Sequence, residues 1–169
     1  MKKVLLVLSG LMIMLCLCAC GSQSTETSKK IVDINPADLV TVEDVALNAG
    51  YTPVIDEQAS GRQDNVATVL YRSNPIGKND TVTVKITQST DTVTEEDIKQ
   101  KFEKDKEKRP SAKPVANLGQ DAYIAFPTIH VYDKGCLLEI TAGSGSDDKQ
   151  ENMLKNLAIT AVGRLESIL

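Results

Sequence analysis

The sequence has no tryptophan, two phenylalanines and a single histidine among its 169 residues. Without tryptophan and with so little phenylalanine, the broad aromatic platforms on which sugars or bases stack are scarce. The lone His130 excludes a metal site built from several histidines and any chemistry that pairs two histidines as bases. Excess charge of one sign is also missing: 19 Lys and Arg stand against 23 Asp and Glu, a net −4, which gives no electrostatic footprint for nucleic acid. Cysteine occurs four times, and three of the four, Cys16, Cys18 and Cys20, fall within five positions of one another.

No long apolar run occurs after residue 20, but there is one before it. Lys2 and Lys3 precede residues 4–17, an apolar run interrupted only by Ser9 and Gly10. That is shorter than the roughly 20 apolar residues of a spanning helix, and the basic start followed by a short apolar stretch is the pattern of an export signal. Its end, Leu17-Cys18-Ala19-Cys20-Gly21, resembles the bacterial lipobox. The resemblance implies cleavage before Cys20 and a diacylglyceryl group on its sulfur. Residues 1–19 are then a lipoprotein signal peptide, 20–30 a lipidated flexible tether and 31–169 the globular domain. Loss of Lys2 and Lys3 takes 19 basic residues to 17 against 23 acidic ones, a net −6. With Cys20 acylated only Cys136 remains, so no intramolecular disulfide forms and the fold must rest on its apolar core.

The tether, GSQSTETSKK at 21–30, has no apolar residue; ten residues fully extended reach at most about 35 Å. Asn35-Pro36 then opens the domain, and Thr41-Val42-Glu43-Asp44 is a capping signal, so a turn is expected at 36–40 and a helix at 42–49 ended by Gly50. A brief strand is expected at 52–55 and a polar loop at 56–65. Residues 66–72 and 81–88 read as an antiparallel hairpin, the second with Val82, Val84 and Ile86 on one face. Thr94-Glu95-Glu96-Asp97 starts a helix to about Lys108, stopped before Pro110. It carries six acidic and six basic residues over 95–109, with Ile98 and Phe102 its large apolar groups. This is the composition of a solvated helix pinned by two side chains, the alternative being a charged docking surface. A linker is expected at 110–117, and strands at 121–126, 128–133 and 136–142, with Asp133-Lys134-Gly135 as a tight turn. The last helix, capped by Asp147-Asp148, carries a stripe of Leu154, Leu157, Ala158, Ala161, Leu165 and Ile168. Helix, strands, helix, strands, helix is the order of an α+β domain: one antiparallel β-sheet covered by helices.

These pieces together resemble small bacterial lipoproteins of unknown function with a PsbP-like α/β sandwich. The matching stretches are the lipobox, Asn35-Pro36-Ala37-Asp38-Leu39-Val40-Thr41-Val42-Glu43-Asp44-Val45 followed by Gly50, Leu118-Gly119-Gln120-Asp121-Ala122-Tyr123, and the closing amphipathic helix. The resemblance implies a membrane-tethered, non-enzymatic module. A pair of cysteines found in many such mature domains is missing here.

Catalytic and metal-binding patterns are sparse. His130 alternates opposite to Ile129 and Val131, which sets it outward as a solvated side chain in place of a catalytic base. Cys136 shares a face with Leu138 and Ile140 and reads as a small core residue in place of a nucleophile. Neither Asp147 with Asp148 nor Asp56, Glu57 and Asp64 show the alternating oxygen ligands of a calcium loop. Gly143-Ser144-Gly145 precedes a helix, but two aspartates there repel an anion. Tyr51, Tyr71, Tyr123 and Tyr132 are better placed in packing than on a shallow binding face. The function expected is a lipid-anchored extracytoplasmic binding module, held at the cell membrane through Cys20, with an envelope protein or component as partner, no nucleic acid and no cofactor. The alternatives are an envelope hydrolase built from separated carboxylates and tyrosine, and a structural or stress-related lipoprotein. Two closing lobes of a transport-type binding protein do not fit in about 140 residues.

Overall fold

Two local signals set the first turns of the fold, and both are met in atomic detail in the computed structural model, which describes residues 32–74 and 81–169. Residues 1–19, Cys20 and the tether fall outside the described residues. The Asn35 side chain accepts from the amide of Ala37 at the head of α1 (Pro36–Leu39). Thr41 and Asp44 exchange side-chain and backbone bonds in a complete capping box on α2 (Val42–Ala49), which ends at Gly50 with φ +74°. Thr94 and Asp97 build the same box on α3 (Glu95–Glu107), and Asp147 caps α4 (Asp148–Ile168). Such boxes satisfy amides that the first helical turn leaves without partners.

The strands are β1 (Pro53–Ile55), β2 (Gly61–Gln63), β3 (Val66–Ser73), β4 (Thr81–Thr87), β5 (Lys113–Pro114), β6 (Asp121–Ala125), β7 (Thr128–Asp133) and β8 (Cys136–Ala142). They form one antiparallel sheet in the order β1-β3-β4-β8-β7-β6-β5, with β2 paired alongside β3. The first half of the chain supplies β1 to β4, the second supplies β5 to β8, and the halves meet where β4 pairs β8. The turn between β7 and β8 has φ +47° at Lys134 and +74° at Gly135, the two positive values that a two-residue hairpin needs to match strand twist. The domain is therefore α+β, as its pattern predicts.

Two strands lie where no strand is expected. β2 sits inside the polar stretch 56–65 and β5 inside the linker 110–117; both are short and their side chains are exposed, so pairing with a neighbouring backbone defines them instead of apolar alternation. The final helix differs at its end: Leu154, Leu157, Ala158, Ala161 and Leu165 are buried, but Ile168, the last residue of the helix, is 38% exposed.

Helices α1, α2 and α4 cover one face of the sheet, and the inward residues of β3, β4, β6, β7 and β8 join them in the main core. Arg164 of α4 ties the three together by donating to the Leu39 carbonyl at 2.9 Å and pairing with Asp44. Burial pushes the Asp44 carboxyl up, but that guanidinium and the Thr41 bonds hold it below its ordinary value. On the opposite face lies α3, whose Ile98 and Phe102 are fully buried against Tyr123, Tyr132 and Leu137 in a second, smaller core. The expectation of a charged helix pinned by two residues is met.

Gly119 explains one of the motif stretches. Its φ is +58°, and a Cβ there would lie 2.8 Å from the Val131 side chain and 3.0 Å from the Tyr132 carbonyl. With it in place Leu118 turns into the main core, while the Gln120 amide bonds Tyr132 at 3.0 Å.

Candidate functional site

Strand register aligns four polar or aromatic residues in one row across the α3 face. Lys85 of β4 pairs Glu139 of β8, Glu139 pairs His130 of β7, and His130 pairs Tyr123 of β6. Directly opposed side chains on neighbouring strands come within about 5 Å at Cβ, so register alone brings them into contact. Lys85 Nζ lies 2.5 Å from Glu139 Oε2, and His130 Nδ1 lies 3.5 Å from Glu139 Oε1. The His130 ring stacks on Tyr123 with centroids 4.6 Å apart. Burial pushes the Glu139 carboxyl up, but the bonds from His130 and Lys85 outweigh it and hold the group at about 2. Burial raises the Tyr123 phenol to about 12, with Arg109 pulling the other way.

His130 is thus not the solvated side chain its alternation predicts. The strand places it opposite to Ile129 and Val131 as expected, yet it is 3% exposed, because α3 lies over that face and Tyr123 stacks on its ring. The pair with Glu139 has the form of an oriented base. What sits above it is the apolar underside of α3, with Phe102 5.2 Å from the Tyr123 ring, and that arrangement seats a helix.

A second arrangement lies at one end of the sheet, where the C-terminus of α2 faces the N-terminus of α4 across the ends of β3 and β4. It encloses a cavity of about 680 Å³, reached by Asn48, Tyr51, Asn74, Lys149, Gln150 and Met153 among others. Gln150 is the N3 residue of α4. In α2 and α3 the N3 carboxylate returns to the cap residue's amide and closes a capping box. In α4 only half of that exchange forms: Asp147 Oδ1 accepts from the Gln150 amide at 2.8 Å, but the Gln150 side chain turns inward and is 9% exposed. Its Nε2 has no hydrogen-bond partner among the described residues. The amide packs beside Gly143, where φ is +56° and a Cβ would lie 3.4 Å from Gln150 Oε1. The left-handed φ at Gly143, and not crowding by the glutamine, is what calls for glycine there.

The remaining sequence candidates disperse. Cys136 is buried in the main core as its face predicts. Tyr71 and Tyr123 are fully buried, and the Tyr71 hydroxyl donates to the Val40 carbonyl, so the tyrosines form no common face. Asp56 accepts from the amides of Gln58 and Ala59 at 3.0 and 3.2 Å and pairs with Arg72, which fixes its loop. Among the described residues no group of three or more His, Cys, Asp or Glu is placed to hold a metal. Gln150 carries no sequence signal of a site, since a glutamine three residues after an aspartate reads as an ordinary capping box. No family model, curated protein or solved structure matches the chain.

Proposed function

We propose that this protein is a lipid-anchored, non-catalytic binding module on the extracytoplasmic face of the cell membrane, its globular part a PsbP-like α/β sandwich. The anchor is Cys20, at the end of the lipobox-like Leu17-Cys18-Ala19-Cys20. An antiparallel sheet with helices on both faces supports the sandwich. No helix among the described residues is long and apolar enough to cross a membrane.

The observation that carries the binding reading is the cavity between α2 and α4. Its volume falls within the range of small-molecule sites, roughly 300–1,000 Å³, and its walls mix apolar groups with a few amides and hydroxyls. A nucleophile with a base and an orienting group, the arrangement covalent catalysis requires, is not found among the residues lining it. The partner is an envelope component reached from the membrane surface.

Replacing the acylated sulfur tests the anchor. Cys20→Ser should lose incorporation of a labelled fatty acid and leave the detergent phase on phase separation. A variant that stays with the detergent as the parent does would show that the apolar segment itself holds the chain, and the lipid anchor would be withdrawn.

A further inference from the structure

Resting on the lipid-anchor reading, we infer that residues 32–34 form a latch that fixes where the chain leaves the domain. The cavity between α2 and α4 then opens away from the membrane and takes its ligand from the far side, not from the bilayer. The latch is built on Gln88, which follows the last residue of β4 and is 5% exposed. Its side-chain amide donates to the Val32 carbonyl at 2.7 Å and accepts from the Ile34 amide at 3.1 Å. A carbonyl and the amide two residues on are the groups a neighbouring parallel strand would bond, so one side chain stands in for a strand. Arg62 of β2 holds the same segment: it donates to the Ile34 carbonyl at 2.9 Å and to Gln88 Oε1 at 3.3 Å, and it pairs with Asp33. Gln88 is itself fixed, since its backbone amide donates to the Asn65 carbonyl at 2.9 Å and its carbonyl accepts from Asn65 Nδ2 at 3.1 Å. Ile34, held in this way, is buried in the main core.

Strand β4 sets the distance between latch and cavity. Thr87, at one end of the strand, precedes Gln88, while Thr81, at the other, lines the cavity and accepts from the Gly143 amide. Six residue steps of about 3.4 Å place these ends about 20 Å apart. The lipobox leaves ten residues, GSQSTETSKK at 21–30, between Cys20 and the domain. A chain of that composition averages about 15–20 Å from end to end and reaches at most about 35 Å. Turning the cavity toward the lipid would make those residues run back along the whole of β4, close to their limit, at a cost in chain entropy. The end beyond Gln88 therefore lies nearest the bilayer, and the cavity meets soluble or extended components of the envelope.

The test uses the full lipidated chain, inserted from detergent into phosphatidylcholine vesicles that carry rhodamine on a small share of their headgroups. A donor dye is placed on one introduced cysteine, either Asp91→Cys in the exposed loop after Gln88 or Lys149→Cys at the cavity, and buried Cys136 stays unlabelled in the folded chain. The donor at position 91 should transfer at least about twofold more efficiently than the donor at 149, since about 20 Å of strand separates the two ends. Equal transfer, or more from position 149, would overturn the orientation. Gln88→Leu combined with Arg62→Leu tests the latch. In the parent the Val32–Asp33 bond should resist a protease that cuts before aspartate, and in the double variant it should be cut at least about tenfold faster, because cleavage follows local opening. Equal cleavage in the two would overturn the latch. Transfer absent from both positions, with the parent leaving the vesicles as Cys20→Ser does, would withdraw the anchor and with it the orientation, while the protease result would still decide the latch.

Discussion

Replacing Glu139 with glutamine perturbs the middle of the row beneath α3, where one carboxylate receives both the Lys85 ammonium and the His130 ring. Its side chain is 13% exposed, so solvent screens the pair little. The native carboxyl is held at about 2 against an ordinary 4.5. At about 1.4 kcal/mol per pH unit, this separation corresponds to about 3 kcal/mol. The sign follows from a depressed native value: the stabilisation is fully present above pH 4.5 and is lost as the pH falls through about 2. Glu139→Gln removes the charge at every pH. At pH 7 it should therefore lower stability by about 2 to 3 kcal/mol, a large share of the roughly 5–15 kcal/mol of an ordinary domain. Between pH 5 and about 2.5 its stability should also change less than the parent's. Urea unfolding of Ile31–Leu169, which forms one compact unit, followed by far-ultraviolet circular dichroism at several pH values, measures both. A variant with the parent's midpoint at pH 7 and the parent's slope in acid would refute the reasoning, and the row would then be a coincidence of register.

Four further substitutions are read by the same unfolding measurement. Leu157 is fully buried in the α4 stripe, so Leu157→Ala should cost about 2 to 5 kcal/mol. Lys155, partly exposed and paired with Glu151 one turn away, should tolerate alanine within about 0.5 kcal/mol; equal midpoints would mean that α4 does not pack as described. Gly119→Ala combines a left-handed φ with a Cβ in contact with Val131 and the Tyr132 backbone and should cost about 2 to 4 kcal/mol. Gly50→Ala, with φ +74° but open space around it, should cost only about 1 to 2 kcal/mol; similar losses at the two glycines would show that crowding at Gly119 adds nothing.

The fold was legible in the sequence wherever one residue pattern carried the physics. The capping boxes at Thr41 and Thr94, the alternation of Val82, Val84 and Ile86, and the stripe from Leu154 to Leu165 each place an element close to where it lies. Alternation names the face a side chain takes but not what covers that face. His130 illustrates this, since the cover is α3, a helix so charged that it reads as belonging to solvent, and its Ile98 and Phe102 meet Tyr123, Tyr132 and Leu137 only in three dimensions. β2 and β5 were hidden for another reason: backbone pairing holds them, and pairing leaves no trace in side-chain type. The inward turn of Gln150 was the least legible, because its position is correct for a cap and nothing in residue type says that the side chain leaves Asp147.

The two ends of the sheet bear on what happens when copies of the chain meet. An exposed strand edge is a template on which a neighbouring chain can add a strand of its own. Here the outermost strands are only two or three residues long, and one at each end contains a proline, Pro53 in β1 and Pro114 in β5. Proline removes the amide that an incoming strand would need, and Lys113 adds a charge beside it. Both ends of the sheet therefore offer a neighbouring chain little edge on which to add a strand.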